Sequence, residues 1–186
     1  MQEFDAIRPY SDEETGAAIN RLVNDQEFLD MVGRFKSPTL ARWAPAMLRV
    51  FTRRWLNSHF GHYTRVDDLQ AGLSSYVGEL VESTTTRVTT SGLENLDKRG
   101  AYLFISNHRD IVFDPMVVNY QLFQNGFHTT RIAIGDNLLA NRVFAEMMRL
   151  NKSFVVRRSM TSPREMRDAY ITPSGFINHS IDTNQS

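Results

Sequence analysis

A change in hydrophobic periodicity near residue 86 constrains the fold of this chain more than any other feature. Before that point apolar residues recur at helical spacing, and after it short apolar runs alternate with helical segments. From residue 101 onward the predicted order is strand, helix, strand, helix, strand, helix. Such alternation is typical of an α/β layer with a largely parallel sheet. We therefore predict an α/β fold, with a helical N-terminal region over residues 1–85 and an α/β domain over residues 86–186.

The helical region carries clear helix-start signals. The capping box Ser11-x-x-Glu14 predicts that a helix begins at Asp12. A longer helix is predicted from about residue 39 to residue 60, and Pro45 is expected to kink or restart it. A third helix is predicted to be capped by Asp67 or Asp68.

The α/β part is predicted to hold four strands and three helices. The strands are expected at Thr86–Thr90, Ala101–Ser106, Arg131–Ile134 and Ser153–Arg157, the second of them buried because it is a continuous apolar run. The helices are expected from Asp114-Pro115, with Asp114 as the N-cap, over Arg142–Leu150, and from the capping box at Ser162 to about Ile177.

Composition excludes several classes of protein. The absence of Cys excludes a disulfide framework, thiolate zinc sites and a cysteine nucleophile, and no metal site is predicted from the five His. A formal net charge of zero gives no reason to expect nucleic acid as a partner. The acidic N-terminus predicts no signal peptide, and no apolar run approaches the roughly 20 residues that a spanning helix needs.

The zero net charge conceals an asymmetry between two helical segments. Residues 1–33 carry eight acidic side chains, whereas residues 34–65 carry seven basic ones and no acidic one. Aromatic residues interleave with arginines in the predicted helix at 39–60, a combination typical of helices that lie on membrane surfaces. The alternative is that this helix packs its aromatic side on the α/β domain while its arginines pair with the acidic first helix.

The segment from Asn107 to Pro115 places a His after a predicted strand and an Asp at the start of the next helix. The carboxyl ends of strands face the ligand crevice in α/β sheets. An imidazole there can take a proton from a substrate hydroxyl if a carboxylate, here Asp114, orients it. The plainer interpretation is a structural His108 and a helix-capping Asp114. A protein-kinase catalytic loop is excluded, because Pro115 stands where that loop has Asn.

A second motif makes the functional interpretation of the His108 segment more specific. The turn Gly135-Asp136-Asn137-Leu138 follows a predicted strand, and after the next helix an aromatic and apolar strand ends in Arg157-Arg158. Together with the His108 block, over residues 99–160, the chain resembles the glycerolipid acyltransferase superfamily. The likeness is strongest to its glycerol-3-phosphate and lysophosphatidate acyltransferase branch.

The resemblance implies a role for each matching residue. His108 would be the general base and Asp114 its orienting carboxylate. The residues that it implies for substrate binding are Arg109, Gly135, Asp136, Asn137, Arg157 and Arg158. Arg157 is the first choice for the acceptor phosphate and Arg158 the second, since alternation along a strand directs only one of them to the site.

Two departures from the family pattern stand out. Asp114 lies one residue farther from His108 than the family spacing, with Phe113 at the expected position, so either a small bulge absorbs the extra residue or Asp110 orients the imidazole instead. The family's third block, a Gly-Arg-bearing turn after a strand, is missing. We therefore expect the chain to be truncated at its C-terminus.

The resemblance implies a peripheral acyltransferase at the cytoplasmic face of the cell membrane. The expected donor is acyl-CoA or acyl carrier protein, and the expected acceptor is glycerol 3-phosphate or its 1-acyl derivative. No cofactor is expected, because the thioester is itself a substrate. The alternatives are a non-catalytic lipid-binding or scaffold protein of the same fold, and acyl transfer to a different hydroxyl or amine.

Overall fold

The computed structural model describes residues 2–183, which form eight α-helices and two β-strands. In chain order these elements are α1 (Asp12–Asn24), α2 (Gln26–Lys36), α3 (Pro38–Trp43), α4 (Pro45–Phe60), α5 (Val66–Thr84), α6 (Phe113–Gln124), β1 (Ile132–Gly135), α7 (Arg142–Leu150), β2 (Ser153–Val156) and α8 (Pro163–Asp182). Short 3₁₀ turns cover Gln2–Phe4, Leu93–Asn95 and Asp136–Ala140.

Contacts divide the chain into two compact units. The helical unit comprises Pro9–Gly72 and Leu138–Lys152, and the sheet unit comprises the chain before residue 9, Leu73–Asn137 and the chain from Ser153 onward. The long helix α5 therefore begins in one unit and ends in the other. The predicted domain boundary at residue 85 lies just past the end of α5 and stays a prediction.

The helical unit is built around one apolar cluster. Its buried members are Ala18, Ile19, Leu22, Val23, Leu29, Leu56, Phe60, Leu69, Val143 and Leu150. They come from α1, α2, α4, α5 and α7, so one face of each helix supplies the core, as amphipathic helices do. The capping box predicted for α1 is present, because the Glu14 carboxylate accepts the Ser11 N–H at 2.8 Å.

Two ion pairs join basic and acidic helices inside this unit. The Arg49 guanidinium holds Asp30 with two hydrogen bonds, from Nε to Oδ1 at 2.6 Å and from the terminal nitrogen to Oδ2 at 2.8 Å. Arg65 lies 3.3 Å from Asp12. The hydrogen bonds from Arg49 lower the pKa of Asp30 below its ordinary value. Arg49 of α4 therefore pairs with α2 and not with the first helix, and Arg65, which pairs with the first helix, lies outside the 39–60 helix, so neither pair is the one that the sequence alternative described.

The sheet unit contains a two-stranded parallel sheet. β1 and β2 pair in register from Ile132 with Ser153 to Gly135 with Val156. On its other side β2 receives the start of the chain, where the Val155 N–H donates to the Ile7 carbonyl at 2.9 Å. The crossover between the strands runs through α7, so the predicted parallel α/β arrangement is confirmed for these strands.

The predicted strands at Thr86–Thr90 and Ala101–Ser106 are wrong. Both segments are irregular, and residues 101–107 make no backbone hydrogen bond with any described residue. The second segment is also not buried, since Leu103 is 56% and Ile105 88% exposed. An apolar run forms a β-strand only when a partner strand accepts its backbone hydrogen bonds. Here β1 and β2 pair with each other, and this run has no partner strand among the described residues.

Three predicted helix ends also need correction. α5 begins at Val66, so Asp67 and Asp68 lie in its first turn and do not cap it. α6 begins at Phe113, so Asp114 lies inside its first turn and is not the N-cap. Its carboxylate turns back onto the preceding loop instead.

α8 is longer than predicted. It runs to Asp182, past the expected end near Ile177, because buried Ala169, Phe176 and Ser180 continue its apolar face. The capping box at its start is confirmed, with the Glu165 N–H donating to the Ser162 hydroxyl at 3.2 Å. The expected cut at the chain end involves residues 184–186, which lie outside the described residues. Within the described residues, none of the helices combines the length and the apolar character that crossing a bilayer requires.

Candidate functional site

The loop after His108 is held in shape by two carboxylates. One oxygen of Asp114 accepts the backbone N–H of Arg109 at 2.5 Å and that of Asp110 at 3.0 Å. One oxygen of Asp110 accepts the N–H groups of Val112 at 2.8 Å and Phe113 at 2.7 Å. Each Asp therefore satisfies two backbone donors: Asp110 those at the start of α6, and Asp114 those of the loop before it.

The carboxylate that accepts hydrogen bonds from the backbone N–H groups at the start of α6 is that of Asp110 and not that of Asp114. A side chain that accepts from residues two and three positions later closes an Asx turn, which here leads into α6, whose N-cap position is Val112. The spacing Asp110-x-x-Phe113 is the signal in the sequence for this turn. Neither sequence alternative for the extra residue between His108 and Asp114, a small bulge or Asp110 as the orienting carboxylate, is tested by this turn, and both stay predictions.

The same hydrogen bonds set the charge of the loop. The N–H groups of Asp110 and Arg109 lower the pKa of Asp114, and those of Phe113 and Val112 lower the pKa of Asp110. The positive charge of His108 lowers both values further. Both carboxylates are therefore ionised at neutral pH and lie within electrostatic range of the imidazole.

Within residues 2–183, neither Asp110 nor Asp114 accepts a hydrogen bond from the His108 imidazole. The orientation of His108 by a carboxylate therefore stays a prediction. The imidazole and both carboxylates lie on the surface, where a substrate can reach them.

A second group of predicted residues comes together at the end of the sheet. The Asp136 carboxylate accepts the backbone N–H of Arg158 at 3.1 Å, which joins the turn after β1 to the residues after β2. A Cβ at Gly135 would meet the Asn137 amide oxygen and would lie 3.0 Å from Cδ of Arg158. The Arg158 side chain therefore passes over Gly135, a close approach that glycine permits.

Arg158, the second choice from the sequence, is the arginine at this turn. Arg157 is exposed, and no hydrogen bond or ion pair is described for it. Adjacent residues after a strand point to opposite sides, which explains why only one of the pair reaches Gly135. Within the described residues, no hydrogen bond or ion pair links the His108 loop to the Gly135–Arg158 group.

A family comparison covers both groups. The family model described as Acyltransferase matches residues 87–174. This segment is an acyltransferase-family domain. Over this segment the predicted resemblance to the glycerolipid acyltransferase superfamily is confirmed. A search of curated proteins and a search of solved structures gave no match.

The acyltransferase match encloses every residue that the sequence selected for chemistry. It begins before the His108 loop, includes the turn at Gly135 and both arginines, and ends inside α8. The acyltransferase segment therefore includes both strands of the parallel sheet. α7, which connects the strands, packs in the helical unit with α1, where Arg21 and Glu146 form an ion pair at 3.0 Å.

No group of three or more His, Asp or Glu side chains suited to a metal ion occurs within residues 2–183. His59 instead stacks on the Trp55 ring at a centroid distance of 4.5 Å, and its Nδ1 lies 2.9 Å from the Trp55 carbonyl oxygen. His62 lies against the Tyr63 ring. These two histidines therefore have aromatic neighbours that account for their positions.

Proposed function

We propose that this acyltransferase moves a fatty acyl group from a thioester to the hydroxyl of a glycerol phosphate. The donor is acyl-CoA or acyl carrier protein, and the acceptor is glycerol 3-phosphate or 1-acyl-glycerol 3-phosphate. The observation that carries this proposal is the family match over the segment that holds His108. The product would enter phospholipid biosynthesis, at the cytoplasmic face of the cell membrane where these thioesters are found.

In the proposed reaction, His108 acts as a general base. Its imidazole takes the proton from the acceptor hydroxyl while the oxygen attacks the thioester carbonyl. The tetrahedral intermediate then collapses, the carbon–sulfur bond breaks, and the leaving thiolate takes the proton from the imidazolium. Asp110 and Asp114 lie in the same loop as this imidazole, and the proposal gives their carboxylates the role of partners to the imidazolium that forms between the two steps.

The proposed acceptor pocket is the turn that contains Gly135. Arg158 passes over this glycine and carries a guanidinium, whose planar pair of donors matches a phosphate. Asp136 fixes the backbone of Arg158, so the arginine leaves the strand in a defined direction. Asn137 lies beside the same glycine and offers an amide to an acceptor hydroxyl. Arg109, one residue after the proposed base, is available to the thioester donor.

The test is acyl transfer by the purified full chain with radiolabelled glycerol 3-phosphate or its 1-acyl derivative and an acyl thioester. We expect the chain to be active and His108→Ala to lose at least about 100-fold in kcat, the usual contribution of a general base. The matched control is His128→Ala, because His128 is exposed and lies outside the proposed site. Wild-type turnover in His108→Ala would contradict the proposed mechanism.

The second candidate is a non-catalytic lipid-binding or scaffold protein of the same family. The observation that favours it is the lack of a hydrogen bond between His108 and either carboxylate within residues 2–183. The same preparation distinguishes the two. Vesicle binding without acyl transfer, for every thioester and acceptor pair tested, would support the non-catalytic candidate.

A further inference from the structure

An exposed apolar surface lies along α3 and α4 in the helical unit. We call it the apolar face, and it consists of Trp43, Met47, Val50 and Phe51. Trp43 is 80% exposed, Val50 64% and Phe51 58%. Single exposed apolar residues are common on proteins, but a continuous group of large ones marks an interaction site.

Helix geometry places the three α4 residues of the apolar face on one side of that helix. Met47, Val50 and Phe51 follow the i, i+3, i+4 spacing, so they form a stripe along α4, and Trp43 ends the helix just before it. The core-facing residues of α4 are Thr52, Leu56 and Phe60, which have a spacing of four. These two sets project in opposite directions, so the core of the helical unit cannot cover the apolar face.

The charges around this face have one sign. No acidic residue occurs between Asp30 and Asp67. Arg42, Arg53 and Arg54 have no hydrogen-bond or ion-pair partner within residues 2–183, whereas Arg49 of the same helix α4 is held by Asp30. The arginines adjacent to the apolar face are therefore those left available for an external anion.

We propose that the apolar face and Arg42, Arg53 and Arg54 dock the protein on an anionic lipid bilayer. Aromatic and aliphatic side chains gain free energy at the boundary between head groups and acyl chains, and arginines gain it from lipid phosphates. A second copy of this chain fits less well. A two-fold contact through this face would place Arg53 and Arg54 near their own copies, and like charges oppose such a contact. This proposal holds whether or not the chain turns over acyl groups.

The first test uses the fluorescence of Trp43 in the full chain. The chain has two tryptophans, so Trp55→Phe leaves Trp43 as the sole indole. We expect its emission to shift to shorter wavelength on addition of vesicles of equimolar phosphatidylglycerol and phosphatidylcholine. Phosphatidylcholine vesicles alone should shift it much less. An emission that stays unchanged with both vesicle types would overturn the proposal.

The second test measures co-sedimentation with the same vesicles. Each basic residue near an anionic surface strengthens partitioning about fivefold, so Arg53→Glu with Arg54→Glu should weaken it at least about 25-fold. The matched control is Arg164→Glu with Arg167→Glu on exposed positions of α8, which changes the net charge equally. Equal losses in the two double variants would mean that net charge alone drives binding, and they would contradict a dedicated face.

A third measurement separates this proposal from its rivals. His108→Ala should bind vesicles like the wild-type chain, so a failure of catalysis leaves this result unchanged. Sedimentation velocity without lipid tests self-association. A dimer that Phe51→Ser dissociates, in a chain that does not bind vesicles, would assign the apolar face to a second copy and overturn the proposal.

Discussion

The carboxylate of Asp114 accepts the backbone N–H of Asp110 at 3.0 Å, so the two candidate orienting residues are parts of one turn. Asp110 in turn holds the N–H groups at the start of α6. A substitution of either residue therefore changes both the charge next to His108 and the shape of the loop. Variants that keep the shape and remove only the charge are needed to separate these two effects.

Asparagine provides such a variant at both positions, because its amide oxygen still accepts backbone N–H groups. We expect Asp114→Asn to lower kcat about 100-fold and Asp110→Asn less than tenfold, since the Asp110 side chain is committed to the helix start. Steady-state acyl-transfer kinetics measure both. If both variants keep wild-type activity, neither carboxylate assists His108, and a larger loss in Asp110→Asn would exchange the two roles.

Acceptor binding is expected to depend on Arg158 and not on Arg157. Loss of charge-assisted hydrogen bonds to a phosphate costs about 1.5–3 kcal/mol, so Arg158→Ala should raise the KM for glycerol 3-phosphate about 10–100-fold. Arg158→Lys should give an intermediate KM, since lysine keeps the charge and loses the planar fork. The control is Arg157→Ala, for which we expect a change below about threefold. A stronger effect at Arg157 would restore the first choice made from the sequence.

The Asp30–Arg49 pair is expected to stabilise the chain only when Asp30 is ionised. Arg49 lowers the pKa of Asp30 in the folded chain, so this stabilisation is present above the unfolded pKa of about 3.9 and is lost as the pH falls through the folded value. Urea unfolding of wild type and Asp30→Asn should therefore give different midpoints at pH 7 that converge toward pH 3.

The matched control for that experiment is Asp168→Asn. Asp168 is exposed on α8, and no ion pair is described for it, so its midpoint should follow that of the wild type at pH 7. A difference between wild type and Asp30→Asn that stays constant down to pH 3 would show that the ion pair is not its source.

The unpaired apolar segment 101–106 is expected to exchange its amide hydrogens rapidly. Residues 101–107 make no backbone hydrogen bond with any described residue, whereas Ile132–Gly135 is paired along β2. Amides without an internal acceptor exchange at rates close to those of an open chain. Hydrogen exchange followed by mass spectrometry should show this contrast. Protection of the segment equal to that of β1 would mean that it is paired in solution.

The sequence predicted best those elements whose signals are local. The capping boxes at Ser11 and Ser162, the restart at Pro45 and the limits of α7 were all foreseen, because each depends on residues within one or two turns. The strand at Ala101–Ser106 failed because strand formation requires a partner elsewhere in the chain. Periodicity carries no information about that partner.

The same distinction applies to the candidate site. The sequence selects His108, Gly135 and the pair Arg157 and Arg158 as motif residues, since family spacing is a local property, and their roles stay predictions. The sequence did not predict that Asp110 closes the turn before α6 while Asp114 folds back onto the loop, because both are acidic residues near a helix start and only backbone geometry distinguishes them. The choice between Arg157 and Arg158 likewise depended on the path of the chain after β2.

The backbone hydrogen bond from Val155 to Ile7 has a consequence for the order of folding during synthesis. The segment around Ile7 emerges from the ribosome long before Val155 is added. It therefore has no β2 partner while roughly 150 further residues are synthesised. Closing so long a loop is slow, because its entropic cost is incurred before the contact forms. We therefore expect this side of the sheet to be completed late, with the segment around Ile7 unpaired until β2 is synthesised.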